Sequence, residues 1–171
     1  VLYTKRGTIN AINAGVRVKK LLQLITGAVY DQEGNVQLVH EERYDLIMDL
    51  IEVRKHSLVA FNWKHERDQL IEKAEKRGIT YAVIDGDVSV QERKNVVDRF
   101  QNGHIQALFA HPQSASHGLT LTKGTSAIWS SPTYNAEHFQ QFNRRIHRAG
   151  QNYKTETILI AARNTWEEHV Y

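Results

Sequence analysis

Cysteine is absent from this sequence, and several other common features are missing with it. With no cysteine among 171 residues, neither a disulfide nor a metal site built on thiolates can form, which fits a reducing compartment. Apolar residues make up 41% of the chain, but no run of them approaches the length of a membrane span. No pattern of a secretory leader follows Val1. We therefore expect no membrane partner, and because the first residue is not methionine we expect a fragment of a longer protein.

The signatures of several enzyme classes are also missing. The histidines never form H-E-x-x-H, and neither G-x-G-x-x-G nor a nucleophile-elbow pattern occurs. Asp85, Asp87 and Ser89 have the spacing of a calcium loop, but Val96 stands where that loop requires glutamate. There is neither a G-x-x-x-x-G-K-[ST] loop nor an Asp-Glu magnesium box. We therefore expect no metal site within this chain and no P-loop grip on ATP phosphates.

The charge balance is mildly basic. Lysine and arginine number 22 against 19 acidic residues, which gives a net charge of +3 and a pI near 9.1. This excess is compatible with nucleic-acid binding but does not establish it. The length is sufficient for one domain with a substantial core.

Short apolar segments alternate with amphipathic helices over most of the chain. Predicted strands cover 57–61, 80–84, 105–110, 126–129 and 155–161. Predicted helices cover 41–54, 62–77, 89–101 and 135–150, with a last helix starting at Thr165. This alternation predicts a parallel sheet with helices on both faces, joined by right-handed crossovers. Before it, the pattern predicts a helix ending at Gly27 and a small hairpin whose turn covers 31–35.

The most informative stretch runs from Asn135 to Gln151. Asn135 is a favourable helix N-cap, and Gly150 lies where a helix would stop. Apolar residues recur at helical spacing on one face: Phe139, Phe142 and Ile146. Polar residues recur on the opposite face: Gln141, Arg145 and Arg148. Because guanidinium is always charged and matches phosphate oxygens with a planar fork of donors, this face is a candidate phosphate site.

The letters Gln141-x-x-x-Arg145-x-His147-Arg148-x-Gly150-Gln151 resemble motif VI of the Swi/Snf-like branch of superfamily-two helicases and DNA translocases. The resemblance implies a three-layer, RecA-like (P-loop NTPase-like) C-terminal lobe. It also implies that ATP and Mg are bound mainly by a preceding N-terminal RecA-like lobe. In that arrangement Arg148 acts as an arginine finger and Arg145 helps to complete the ATP site.

Other segments resemble further blocks of the family in the same order along the chain. Asn62-Trp63-Lys64-His65 resembles motif IV at a helix N-terminus, which is a natural phosphate site. Residues 111–121 resemble motif V, and the letters IWSSPTYN resemble the strand that leads into motif VI. The resemblance places two residues at the ATP cleft: Gln141 and Gly118. It places four residues against the backbone of duplex DNA: Asn62, Lys64, Ser114 and Thr120.

The motif V block departs from the usual family letters. His111-Pro112 stands where Ser-Thr is usual, Ser116-His117 where small residues are common, and Thr120 where asparagine is usual. His-Pro variants of this kind resemble the compact phage and bacterial branch. A further block, "IDGDVSVQERKNVVDRF", offers Arg93 either as a nucleic-acid contact or as a brace for the sheet, and we favour the brace.

The resemblance also implies a division of the chain and a setting. We assign residues 1–35 to a helical segment that connects from the preceding lobe, and 36–171 to the C-terminal lobe. The expected location is the cytoplasm of a bacterium or a phage-infected cell, or the nucleus of a eukaryote. The function implied is that of the second motor lobe of an ATP-dependent helicase or translocase, inactive by itself.

Two alternatives remain open from the sequence. A non-catalytic α/β module would use the same basic helix only to bind nucleic-acid phosphates. A purely structural α/β domain would leave its arginines in solvent.

Overall fold

A computed structural model describes residues 2–4, 7–9, 14–38, 40–115 and 118–171. Two hairpins and a helix precede the main sheet: β1 (Leu2–Thr4), β2 (Gly7–Ile9), α1 (Ala14–Ile25), β3 (Ala28–Tyr30) and β4 (Val36–Leu38). The β3–β4 pairing confirms the predicted hairpin, and α1 ends just before Gly27. The predicted division of the chain at residue 35 falls in the turn of this hairpin and remains a prediction.

The rest of the chain alternates strands and helices. Strands alternate with helices in the order β5 (Ser57–Ala60), β6 (Tyr81–Ile84), β7 (Ala107–Ala110), β8 (Ser126–Trp129) and β9 (Glu156–Leu159). The helices are α2 (Glu42–Val53), α3 (Lys64–Arg77), α4 (Val90–Gln101), α5 (Pro112–Ala115), α6 (Ala136–Asn143) and α7 (Trp166–Val170). All five predicted strands are present; β8 has the predicted bounds and the other four are shorter than predicted.

The five main strands form one parallel sheet in the order β6-β7-β5-β8-β9. The central strand β5 pairs with β7 on one side and β8 on the other. The carboxyl ends of the strands therefore lie along one edge, which we call the carboxyl edge, and their beginnings lie along the opposite, amino edge. The predicted parallel α/β fold is confirmed.

Helices cover both faces of this sheet because successive strand residues point to opposite sides. On one face, Val59 and Phe109 pack with Tyr44, Met48 and other buried residues of α2 and α3. The other face is packed against α4 and α6, whose buried residues include Phe100 and Phe142. The two apolar clusters make the three layers that the sequence predicts.

One predicted helix is shorter than expected. The sequence predicts a helix as far as Gly150, but α6 ends at Asn143 and the chain continues in turns. Backbone carbonyls that a longer helix would use have partners elsewhere: Leu121 N donates to Arg145 O, and Gln151 Nε2 donates to Ile146 O. Arg145 and Arg148 therefore lie beyond the helix rather than on its face.

Smaller differences concern helix starts. The sequence places α3 directly after an Asn62 cap, but Trp63 occupies the N-cap position. Ser89 does cap α4, because its Oγ accepts from Glu92 N at 3.1 Å. The short helix α5 is not predicted; Pro112 begins it, and Ala115 N donates to His111 O at 3.1 Å. Across the described ranges, no helix has the length and apolarity needed to cross a membrane.

Candidate functional site

The arginines of motif VI lie against the motif V loop. Leu121 N donates to Arg145 O at 2.9 Å, and Arg148 Nη1 donates to Leu119 O at 3.0 Å. We call residues 144–151 the arginine segment and residues 118–124 the motif V loop. Their pairing brings together three residues that the sequence assigns to the ATP cleft, which are separated by up to 30 positions: Gly118, Arg145 and Arg148.

Two other letters of the motif hold the arginine segment in place. The Nε2 group of Gln151 lies 2.9 Å from both Thr122 O and Gly124 O and 3.0 Å from Ile146 O. His147 Nδ1 lies 3.1 Å from Thr155 Oγ1. Gln151 therefore fastens the arginine segment to the motif V loop. This letter of the motif thus makes contacts within the protein that stabilise the fold.

Arg145 is a buried cation without a carboxylate partner among the described residues. It is 9% exposed, and its Nε donates to Gln141 O at 2.9 Å. Burial lowers the pKa of its guanidinium, and the neighbouring charge of Arg148 lowers it further. Arginine nevertheless stays charged in proteins, so this pair of cations is electrostatically suited to an anion.

Gln141 contacts Arg145 through its backbone carbonyl, and Gly118 directly precedes Leu119, whose carbonyl accepts from Arg148. The Nε2 of Gln141 donates to Glu137 Oε1 at 2.8 Å, one turn back along α6. Gly118 has φ +74, a left-handed conformation that glycine adopts without strain. A Cβ there would meet nothing within 4 Å, so the conformation rather than space favours glycine. Ser116 and His117, the unusual letters before it, lie outside the described residues.

A second candidate region is a cavity of about 540 Å³ at the carboxyl edge, between the ends of β5, β6 and β7. We call it the carboxyl-edge cavity. Three of the residues that the sequence assigns to DNA line it: Asn62, Lys64 and Ser114. The fourth, Thr120, is exposed in the motif V loop and is not part of this lining.

The sequence at the N-terminus of α3 is compatible with a phosphate contact and equally with simple capping of the helix, and several N–H groups there already have protein acceptors. The Oε2 atom of buried Glu66 accepts from Asn62 N at 2.7 Å and from Trp63 N at 3.4 Å. His65 N donates to Tyr30 Oη at 3.0 Å. Protein oxygens thus take up N–H groups that a phosphate would need.

The side chain of Asn62 is also engaged within the protein. Its Nδ2 lies 3.1 Å from Ser131 O, 2.9 Å from Ser131 Oγ and 3.1 Å from Pro132 O. Asn62 therefore ties the end of β5 to the loop after β8. Lys64, by contrast, is exposed at the rim of the cavity.

Arg93 and Arg67 are the basic residues of the cavity that the sequence did not assign to DNA. Arg67 Nη1 pairs with Asp85 Oδ2 at 2.9 Å, and this partner outweighs burial to lower the pKa of Asp85. Arg93 forms no ion pair within the described part of the chain, and its Nε is buried without a hydrogen bond. These contacts do not show that Arg93 braces the sheet. Its place in the same cavity lining as Lys64 could not be read from the sequence.

A buried ion pair lies close to this edge and was not predicted. Arg43 Nη1 and Nη2 donate to Glu167 Oε1 and Oε2 at 2.7 and 2.6 Å. Arg43 also donates to Ser130 O at the end of β8 and to Ile25 O at the end of α1. The pair thus joins α1, α2, β8 and α7. No group of three or more His, Cys, Asp or Glu side chains suited to a metal occurs within the described ranges.

Comparison with known proteins agrees with this geometry. Residues 42–150 match the helicase conserved C-terminal domain. The chain is 30% identical over 171 residues to protein p41 of Acyrthosiphon pisum secondary endosymbiont phage 1. The aligned region covers 95% of this chain and 35% of that protein. The chain is also 30% identical over 117 residues to the chromodomain-helicase-DNA-binding protein 1-like of Mus musculus, covering 68% of this chain and 13% of that protein.

Two solved structures share the fold. The C-terminal part of the Fun30 ATPase domain superposes with a TM-score of 0.70 and 18% identity, covering 75% of this chain and 43% of that one. The C-terminal domain of the DEAD-box protein Dbp5 superposes with a TM-score of 0.62 and 16% identity, covering 77% of this chain and 75% of that one. The chain belongs to the helicase conserved C-terminal domain family, within the Swi/Snf-like branch of superfamily two. It spans about a third of the length of the phage relative.

Proposed function

We propose that this chain is the second motor lobe of an ATP-dependent DNA helicase or translocase. In this proposal Arg148 and Arg145, with Gln141 and Gly118 beside them, meet the phosphates of a nucleotide that a preceding RecA-like lobe holds with Mg. The bound nucleotide supplies the γ-phosphoryl group for hydrolysis. The residues of this chain orient it and stabilise the negative charge that develops in the transition state.

The proposal rests on two neighbouring arginines, Arg145 and Arg148, that have no carboxylate partner among the described residues. Arg145 is buried and bonded through Nε to a carbonyl, while Arg148 is exposed and aimed by its bond to Leu119 O. Neither forms an ion pair with a carboxylate among the described residues, although several other arginines do. Two adjacent cations on a braced backbone fit a polyphosphate, and phosphate oxygens match the guanidinium fork.

The DNA side of the proposal uses the carboxyl-edge cavity. Lys64 and Arg93 provide positive charge there, with Ser114 as a neutral donor, and we add Arg93 to the residues inferred from the sequence. Thr120 keeps its proposed contact with the DNA backbone, whereas Asn62 would act indirectly, because its donors bind Glu66, Ser131 and Pro132. Contacts to phosphates carry no sequence information, which suits a motor that moves along any sequence.

The decisive experiment replaces Arg148 in the intact protein and measures ATP turnover, nucleotide affinity and melting temperature. A finger arginine contributes roughly 10³ to 10⁵ in rate in related NTPases. We expect Arg148→Ala to abolish turnover while folding and ATP binding remain nearly normal. Arg148→Lys should restore little, because a point charge does not replace the planar fork. Near-normal turnover in Arg148→Ala would refute the finger assignment.

A second test concerns DNA and uses this chain by itself. With few phosphate contacts and a net charge of +3, we expect weak binding to duplexes of any sequence, fading as salt rises. Lys64→Ala and Arg93→Ala should each weaken binding uniformly across sequences, by anisotropy titration at two salt concentrations. A strong preference for one sequence, or DNA-stimulated ATP hydrolysis by this chain without a preceding lobe, would contradict the proposal.

A further inference from the structure

A second basic cavity lies at the amino edge of the sheet, on the side opposite the carboxyl-edge cavity. Its volume is about 420 Å³, and we call it the amino-edge cavity. Lys55 and His56 reach it from the turn before β5, Lys123 from the motif V loop, and Tyr153 from the segment after Gly150. None of its lining residues is acidic. The cavity therefore has the charge of an anion site.

The two lysines have no ion pair within the described part of the chain. The nearby acid Glu156 is already engaged, because its Oε1 accepts from Arg54 Nε at 2.5 Å and from Ser126 Oγ at 2.9 Å. Lys55 and Lys123 are both exposed on the cavity side. Their positive charge is therefore available to a ligand.

The backbone that carries Lys123 is held rigidly from two sides. Gln101, at the end of α4, accepts from Lys123 N at 2.9 Å through Oε1 and donates to Thr122 Oγ1 at 3.1 Å. Gln151 donates to Thr122 O and Gly124 O, both at 2.9 Å. Beside them Gly103, at φ +77, leaves space for the lysine: a Cβ there would lie 3.3 Å from Lys123 Cε. Such fixed walls reduce the entropy lost when a ligand binds.

The backbone of His56 is strained and points to the same cavity. Its φ is +63, in the left-handed region that non-glycine residues seldom adopt. The conformation is held by Thr125 N, which donates to His56 O at 3.1 Å, and by the ring, whose Nδ1 lies 3.1 Å from Ile105 O. Strained residues of this kind concentrate at ligand sites, and His56 lines the cavity together with Lys55 and Lys123.

We propose that the amino-edge cavity binds a phosphate group, with Lys55 and Lys123 as its cationic contacts. The same space is lined by Thr122 and Thr125 and by Tyr153, which is 75% exposed. The phosphate comes either from a free phosphate compound or from a nucleic-acid backbone, and Tyr153 offers a face on which a base can stack. The cavity includes Gly150 and Gln151 of the arginine segment, but neither Arg145 nor Arg148 lines it, and it shares no lining residue with the carboxyl-edge cavity.

The test compares the Lys55→Ala/Lys123→Ala double variant with Lys94→Ala, which removes an exposed lysine of α4 that lines neither cavity. Each protein is titrated with sodium pyrophosphate, following the backbone amide signals of His56, Lys123 and Thr125 by NMR. Each is also titrated with a short fluorescent DNA duplex at several salt concentrations. Lys94→Ala should behave as the unmodified chain does.

We expect the double variant to lose at least about tenfold in affinity for one of the two probes, about 1.4 kcal/mol. A loss confined to pyrophosphate, with its local amide shifts, identifies a free phosphate compound as the ligand. A loss of duplex affinity, with a salt slope reduced by about 1.8, identifies a nucleic-acid backbone. Unchanged affinity for both probes would overturn the proposal. Because Arg148 is intact in every variant, this outcome is distinguishable from failure of the proposed motor function.

Discussion

Arg43 and Arg145 are both buried arginines, but their surroundings are opposite. Arg43 is 7% exposed and bonded through both ends of its fork to Glu167, whereas Arg145 is 9% exposed and bonded only to a carbonyl. Burial lowers the pKa of Arg43, but the bonds and charge of Glu167 outweigh it and raise that pKa; burial and Arg148 lower the pKa of Arg145. The paired arginine joins segments of the fold, whereas Arg145 has no carboxylate partner among the described residues.

The largest effect on stability is expected from breaking the ion pair between Arg43 and Glu167. Arg43→Met leaves the carboxylate of Glu167 buried without its partner, so we expect the free energy of unfolding to fall by about 3–5 kcal/mol in urea titrations. The matched double variant Arg43→Met/Glu167→Leu removes both charges and should recover much of this loss. A single variant as stable as the original chain would show that the pair does not hold α1, α2 and α7 together.

The region around Arg43 also contains two buried groups with opposite pH dependence. Burial raises the pKa of Glu66 to about 7 and lowers the pKa of His65 to about 4. Glu66 therefore contributes stability at low pH that is lost as pH rises from 4.5 to 7. His65 contributes stability above pH 6.5 that is lost as pH falls towards 4. Between pH 4.5 and 6.5 the two contributions offset each other.

Glu66→Gln separates these contributions. We expect the stability of the original chain to change little with pH between 4.5 and 6.5 from this pair. In the variant the His65 contribution alone remains, so stability should rise by about 2–3 kcal/mol over the same interval. Urea unfolding at several pH values checks this, and identical pH profiles for the two proteins would contradict it.

A smaller effect distinguishes the two glutamines of motif VI. Gln151→Ala removes hydrogen bonds to three backbone carbonyls, so we expect a loss of about 1–3 kcal/mol. Gln141→Ala removes only the side-chain bond to Glu137 and should cost less than about 0.5 kcal/mol. Melting curves of both variants test the assignment of Gln151 as a brace. Equal effects would mean that the contacts to the motif V loop contribute nothing.

A small change in stability is also expected for the arginine that has no carboxylate partner. Arg145→Met removes a buried cation without orphaning a carboxylate, so we expect a change below about 1 kcal/mol in either direction. Added pyrophosphate should raise the melting temperature of the original chain more than that of the variant, with sodium chloride of equal ionic strength as control. A loss comparable to that of Arg43→Met would remove the contrast between the two arginines.

Much of the fold follows from local pattern. Short apolar runs and capping residues such as Ser89 predict the alternation of strands and helices, and the structure confirms each predicted strand of the sheet. The end of α6 could not be predicted from local pattern. It depends on Leu121 and Gln151, which donate hydrogen bonds to the carbonyls of Arg145 and Ile146 that a longer helix would use. Local propensity contains no information about such partners.

The candidate site was predictable to a similar degree. The motif letters single out Arg145 and Arg148, and the structure places both against the motif V loop; their roles and that of Gly118 stay predictions. Arg43 could not be identified, because its partner Glu167 is 124 positions away. The engagement of Asn62 with Ser131 depends in the same way on distant strands becoming neighbours at one edge.

The strand order also sets the sequence of events during synthesis. The central strand β5 is the first of the five to leave the ribosome, but neither of its neighbours follows directly. The next strand, β6, ends at the sheet's margin and pairs only with β7. The apolar strand Ser57–Ala60 thus has no partner until the chain has extended past Ala107, and it gains its second one only with Ser126–Trp129. Pairing between segments so far apart in the sequence is intrinsically slow, so the apolar strand β5 keeps unpaired edges for much of the chain's synthesis.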